Sequence, residues 1–187
     1  MTNVEELPPD LPVPEDDGAA DHLPGMTVPR LELPTTDGYG VDLAEAAQRR
    51  LVVYVYPRTG RPDEPLPTGW DEIPGARGCT PQACSYRDHH AEIVALGAHV
   101  LGLSAQTAAY QLEVVERLGL PYPLASDPLL TVAEALGLPT FEAEGIGRLY
   151  KRLTFIARAG RIEKVFYPVF PPNSDAPLVV EWLTRQR

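Results

Sequence analysis

The sequence contains few cysteines and no long apolar segment. Only two cysteines, Cys79 and Cys84, occur in 187 residues, and they do not form a Cys-x-x-Cys pair. No run of about eighteen apolar residues is present, so we expect no membrane-spanning helix. The first residues also lack a basic segment followed by an apolar one, which argues against a secretory signal. We therefore expect a cytoplasmic protein, in which two nearby cysteines are catalytic, redox-active or metal-binding rather than a structural disulfide.

Basic residues form no stripe or cluster, and the formal net charge is -10. Such a chain cannot neutralise a row of phosphates, so we expect no nucleic-acid partner and no membrane partner. Much of the acidity lies in residues 1–24, which hold seven acidic residues and five prolines. This composition has little to bury, and it predicts a disordered or loosely docked extension. Residues 25–187 are long enough for one domain with a single core.

Hydrophobic periodicity predicts an α/β domain. Residues 51–56 form a continuous apolar run that ends at Pro57, which is typical of a central strand buried on both faces. Strands that alternate with helices and end in an antiparallel hairpin favour a three-layer, thioredoxin-like fold with a central mixed sheet. Strands are predicted at 28–33, 40–43, 51–56, 99–104, 152–157 and 161–166, and helices at 80–97, 107–118, 127–136 and 174–185.

A long connection rich in proline and glycine, residues 58–78, separates the central strand from the next helix. Irregular segments of this length inside a compact domain are usually functional or mobile. Because the segment leads directly into Cys79, we expect it to cover or border the site around that cysteine. Trp70 is its one large aromatic residue, which could stack on a partner or cover the pocket, and of the two we favour an apolar lid.

Cys79 lies where a helix is predicted to begin. Thr80 is a suitable N-cap and Pro81 suits the first helical position. The unpaired N–H groups of a helix start, together with Arg77 two residues upstream, provide the positive potential that a reactive thiolate needs. Cys84 follows five positions later, about 140° around the helix and beyond the roughly 7 Å that a disulfide tolerates between Cα atoms. A bond between the two cysteines therefore requires the first helical turn to unwind.

Several segments resemble the bacterioferritin-comigratory-protein or Q-type branch of the peroxiredoxins. They are Tyr-Val-Tyr-Pro at 54–57, Gly-Cys-Thr-Pro-Gln-Ala-Cys-Ser-Tyr-Arg-Asp-His at 78–89, Gly-Leu-Ser at 102–104, Leu-Pro-Tyr-Pro-Leu-Ala-Ser-Asp-Pro at 120–128 and Arg-Leu-Thr-Phe-Ile at 152–156. The resemblance implies a thioredoxin-like fold without a metal or organic cofactor. It also implies reduction of hydrogen peroxide and organic hydroperoxides, with a thioredoxin-like or glutaredoxin-like protein as reductant.

The resemblance assigns roles to individual residues. It implies that Cys79 is the peroxidatic cysteine, that Cys84 resolves it, and that Arg152 polarises peroxide and stabilises the thiolate. Pro57 and Thr80 are expected at the substrate pocket. The family normally has Thr or Ser three residues before the peroxidatic cysteine, where this chain has Ala76. The hydroxyl that usually contacts the thiolate is therefore missing.

Other interpretations of the cysteines stay open at this point. The two thiols could be inert core residues, or ligands of a metal together with His89 and His90, although their spacing is unlike that of zinc sites. A redox sensor or binding module could use the same disulfide to switch the 58–78 segment. A dithiol oxidoreductase is disfavoured because Cys-x-x-Cys is absent. We expect a monomer, with a dimer as the alternative.

Overall fold

The central strand of the molecule is the apolar run near residue 51. The computed structural model describes residues 7–186, and the predictions for residues 1–6 lie outside them. Its strands are β1 (Glu32–Leu33), β2 (Val41–Asp42), β3 (Arg50–Val55), β4 (Ala98–Ser104), β5 (Leu124–Ser126), β6 (Thr140–Ala143), β7 (Gly147–Tyr150), β8 (Leu153–Arg158) and β9 (Arg161–Phe166). Its helices are α1 (Leu43–Ala46), α2 (Cys79–Ala95), α3 (Ala108–Leu118), α4 (Thr131–Leu136) and α5 (Asp175–Thr184).

Five of these strands form one mixed sheet in the order β5, β4, β3, β8, β9. Strand β3 pairs parallel to β4 and antiparallel to β8, and β8 continues into the antiparallel hairpin with β9. Two further antiparallel pairs, β1 with β2 and β6 with β7, lie outside this sheet. The predicted central position of the 51–56 run is therefore confirmed.

Alternation along β3 divides the core into two layers. Val53 and Val55 belong to one apolar cluster with residues of α1 and α4, while Val52, Tyr54 and Tyr56 belong to a second cluster with residues of α2, α3 and α5. All five side chains are at most 1% exposed. Because successive strand residues face opposite sides, a fully apolar strand needs a helix layer on each face. This confirms the predicted α/β arrangement of helices on both sides of a mixed sheet.

The structure corrects some local predictions. Thr80 is not the N-cap of α2, because the helix begins one residue earlier and its N-cap is Gly78, whose left-handed backbone turns the chain into the helix. The 58–78 segment contains one short 3₁₀ turn, Trp70–Glu72. Helix α1, strand β5 and the β6–β7 hairpin were not predicted, since elements of three or four residues carry little periodicity.

The segment 7–24 contacts the body of the domain. Leu23 and Ala20 are buried in the first apolar cluster, and the His22 ring bonds the carbonyl of Leu136 over 2.8 Å. Asp17 accepts hydrogen bonds of 2.7 Å from both Lys151 and Tyr167. The boundary at residue 24 stays a prediction. None of the helices in the described residues has the length and apolar character to span a membrane.

Asp17→Asn is expected to lower the free energy of unfolding at neutral pH by roughly 0.5 kcal/mol, the range of exposed ion pairs. The bond from Lys151, followed by that from Tyr167, lowers the pKa of Asp17 from 3.8 to about 2. The stabilisation is therefore fully present above pH 3.8 and is lost as the pH falls toward 2. Denaturant unfolding of both proteins at several pH values measures it. Asp10→Asn, at an exposed turn of the same segment, is the control, and a difference independent of pH would contradict the assignment.

Candidate active site

Gly78 determines where α2 begins. Its φ of 99° lies in the left-handed region, and an added Cβ would come within 2.6 Å of Pro172 Cγ and 2.7 Å of Leu7 Cδ2. Only glycine satisfies both conditions. Cys79 is consequently the first helical residue, at the end of the helix where backbone N–H groups are unpaired.

The Cys79 sulfur is held between a guanidinium and a backbone carbonyl. Arg152 Nη2 lies 3.2 Å from Cys79 Sγ, and the Sγ lies 3.6 Å from the carbonyl oxygen of Ala76. The cysteine is only 4% exposed. A buried guanidinium at this distance, beside a helix N-terminus, stabilises negative charge that develops on sulfur. The structure thus brings together Cys79 and Arg152, two of the predicted site residues.

Arg152 is anchored by the loop that precedes Cys79. Its Nη2 lies 3.2, 3.1 and 3.0 Å from the carbonyl oxygens of Gly75, Ala76 and Arg77, which share its two N–H groups with the sulfur, and its Nη1 donates to Gln82 Oε1. The residue precedes β8 directly, so the rigid sheet supports its backbone. Sequence analysis did not identify Gln82 as part of the site, although it lies within the 78–84 motif.

A second buried group, Asp175, lies behind Gln82. The carboxylate accepts a 2.7 Å bond from Gln82 Nε2, and Thr154 and Tyr86 donate to the same oxygen. Burial raises the pKa of Asp175, and these hydrogen bonds and the charge of Arg152 oppose that rise. Sequence analysis missed Asp175, because a single acid near the end of the chain carries no motif.

A small cavity of about 20 Å³ lies next to Cys79. This is room for a molecule about the size of water or slightly larger. Trp70 is 3% exposed on its wall, and Arg77, 6% exposed, is held 3.3 Å from Asp71 of the same segment. The 58–78 segment therefore supplies most of the lining of the cavity. Its lining residues are Arg58, Gly60, Leu66, Trp70, Arg77, Cys79 and Thr80.

The other predicted site residues lie at different distances from this cavity. Thr80 is buried on its wall. Pro57 is buried two residues after the end of β3, and its carbonyl accepts from Ser104 Oγ over 3.1 Å. It does not line the cavity, although Arg58 and Gly60 do. Cys84 is partly buried on the same helix as Cys79, and both are thiols. Within residues 7–186, no three His, Cys, Asp or Glu side chains come close enough to hold a metal.

Comparison with known proteins identifies relatives over most of the chain. A family model described as Redoxin matches residues 23–180. Peroxiredoxin Bcp of Escherichia coli (strain K12) is 31% identical over 163 residues, which cover 85% of this chain and 94% of that protein. The chloroplastic peroxiredoxin Q of Oryza sativa subsp. japonica is 32% identical over 150 residues, covering 80% of this chain. The match spans 61% of the length of the rice protein.

Solved structures agree with this relationship. The crystal structure of peroxidoxin BcpB from Mycobacterium tuberculosis has a TM-score of 0.73 and 27% sequence identity, and the match covers 89% of this chain and 99% of that one. Xanthomonas campestris peroxiredoxin Q, at 21% identity and a TM-score of 0.67, shares the fold. The predicted thioredoxin-like fold and the resemblance stated from the motifs are confirmed. The chain belongs to the redoxin family, as a peroxiredoxin of the Bcp and peroxiredoxin Q branch.

Proposed function

We propose that this protein reduces hydrogen peroxide and organic hydroperoxides, with Cys79 as the peroxidatic cysteine and Cys84 as the resolving cysteine. The observation that carries the proposal is the 3.2 Å contact between Arg152 Nη2 and Cys79 Sγ at a helix start. An inert core thiol would not need a buried guanidinium beside it, since burying that charge is costly without a partner. The reductant is proposed to be a thioredoxin-like or glutaredoxin-like protein, and the compartment the cytoplasm.

The chemistry follows from thiolate nucleophilicity. The Cys79 thiolate attacks one peroxide oxygen, the O–O bond breaks, and Cys79 becomes a sulfenic acid while the second oxygen leaves as hydroxide or alkoxide and takes a proton from solvent. Arg152 donates hydrogen bonds to the charge that develops on sulfur and oxygen. Cys84 then attacks the sulfenic sulfur, a disulfide forms and water leaves. A dithiol reductant returns both cysteines to thiols.

Formation of the disulfide requires a change in α2. The two cysteines lie on one continuous helix, and five residues of regular helix separate their side chains by about 140°. The first turn must therefore open after oxidation. In the closed form, Pro172 packs against the N-cap Gly78, and in the second turn Ser85 Oγ donates to the Asn173 carbonyl over 2.8 Å.

Steady-state consumption of peroxide with thioredoxin and its reductase tests the proposal. We expect repeated turnover with hydrogen peroxide and with an alkyl hydroperoxide. A redox sensor that uses the same two cysteines is the second candidate, because the 58–78 segment closes directly on Cys79. Stoichiometric oxidation without turnover would favour the sensor. Gel filtration of the reduced protein tests the expected monomer against a dimer.

We further propose that Trp70 acts as a lid that keeps water from the peroxide cavity. Trp70→Ala is expected to slow oxidation of Cys79 several-fold, by roughly three to ten times, and to leave reduction of the disulfide nearly unchanged. Trp70→Phe, which keeps an apolar ring, is the matched control. Stopped-flow measurement separates the two steps. An unchanged oxidation rate with altered disulfide formation would instead assign the segment to unwinding of α2.

A further inference from the structure

We propose that Asp175 is a positioning residue for peroxide reduction, because through the Gln82 amide it holds the Arg152 guanidinium in the orientation that contacts Cys79. The inference rests on the proposed function and adds to it a residue from the far end of the chain. Asp175 is the first residue of α5, and it lies 93 positions after Gln82.

Three side chains from two elements, α2 and β8, converge on the Asp175 carboxylate. Gln82 Nε2 and Tyr86 Oη of α2 donate to Oδ2 over 2.7 and 3.0 Å, and Thr154 Oγ1 of β8 donates to the same oxygen over 2.7 Å. The residue is completely buried, and Oδ1 has no hydrogen-bond partner among the described residues. An acid in this position lowers stability compared with an apolar side chain of similar size. The packing of α5 therefore does not explain why position 175 is an acid.

The chemistry of the neighbours dictates how the Gln82 amide is oriented. A guanidinium can only donate hydrogen bonds, and the Asp175 Oδ2 that faces Gln82 is an acceptor for three donors. An amide between Arg152 and Asp175 must therefore direct Oε1 to the arginine and Nε2 to the carboxylate. The observed bonds, Arg152 Nη1 to Gln82 Oε1 and Gln82 Nε2 to Asp175 Oδ2, have this polarity.

The orientation of the Gln82 amide matters because its Oε1 is the hydrogen-bond partner of Arg152 Nη1. Among residues 7–186 the Nε of Arg152 has no partner, so the plane of the guanidinium is set by the Nη1 bond and by the Nη2 contacts to the 75–77 carbonyls and Cys79 Sγ. If the amide reversed, two donors would face each other at Nη1. The guanidinium would then rotate, and the 3.2 Å contact to sulfur would be lost.

The test exchanges the polar groups of Gln82 and Asp175. In Asp175→Asn the side chain at position 175 can donate as well as accept a hydrogen bond, so the Gln82 amide can reverse. We expect oxidation of Cys79 to slow about tenfold. In the double variant, Gln82→Glu provides a carboxylate oxygen that accepts from Arg152. The second oxygen of that carboxylate accepts from the amide that Asp175→Asn introduces. The double variant keeps the net charge of the group, and its oxidation rate should return to within about twofold of the natural protein.

Stopped-flow oxidation and the ultraviolet absorbance of the Cys79 thiolate are measured for each variant, with denaturant unfolding as the structural control. In Gln82→Glu alone, Cys79 should be oxidised no faster than in the natural protein. If this variant were faster, it could account for the recovered rate of the double variant without any role for Asp175. An unchanged rate in Asp175→Asn, or no recovery in the double variant, would overturn the inference. Failure of the natural protein to react with peroxide would instead overturn the proposed function.

Discussion

Cys79→Ser is expected to abolish the reaction with peroxide, whereas Cys84→Ser should leave a single round of oxidation. A serine hydroxyl is not ionised at neutral pH, so the contact from Arg152 Nη2 would have no thiolate to stabilise. In the Cys84 variant the thiolate is intact and the sulfenic acid has no partner cysteine. It should accumulate and then pass to the sulfinic and sulfonic acids.

Mass spectrometry of the intact protein after one equivalent of peroxide distinguishes the two variants. Cys79→Ser should gain no oxygen, and Cys84→Ser should gain one oxygen and then two or three with excess peroxide. The natural protein should instead lose two hydrogens as the disulfide forms. An equal loss of the first oxidation step in both variants would show that the roles of the cysteines have been assigned wrongly.

Arg152→Ala should slow the second-order reaction of Cys79 with peroxide by a factor of about ten or more. One charge-assisted contact to a developing anion is worth a few kcal/mol, and about 1.4 kcal/mol corresponds to tenfold. The substitution also releases the carbonyls of residues 75–77, which Arg152 Nη2 holds together at 3.0 to 3.2 Å. The slower rate would therefore combine lost charge with a less ordered loop.

Arg152→Lys separates these two effects. Lysine keeps the positive charge but cannot reach Gln82, the loop carbonyls and the sulfur together, because it lacks the planar fork of a guanidinium. We expect a rate between those of the natural protein and Arg152→Ala, measured by stopped flow. Circular dichroism checks that the fold survives. If both variants react as the natural protein does, Arg152 has no part in the reaction, and Arg77 on the cavity wall becomes the next residue to test.

Local features of the chain were sufficient to predict the centre of the site. The apolar run at 51–56, the glycine before Cys79 and the helical spacing after it each act through a few neighbouring residues, so they can be interpreted without tertiary contacts. The same local signals misplaced the N-cap by two residues, at Thr80 instead of Gly78. The space behind Gly78 is closed by Pro172 and Leu7, and neither contact could be inferred from the motif.

By itself, the sequence determined the α/β class, the position of Cys79 near a helix start and the family, because these depend on periodicity and on motifs of a few residues. Only the tertiary structure decided which distant groups surround that cysteine. Asp175 reaches Gln82 because α5 packs against α2. The family resemblance already implied a role for Arg152, and the structure shows that it reaches Cys79 across 73 positions because the sheet order places β8 beside β3. Contacts of this kind depend on how whole elements pack, and a single buried acid or arginine has the same local pattern whether it faces the site or not.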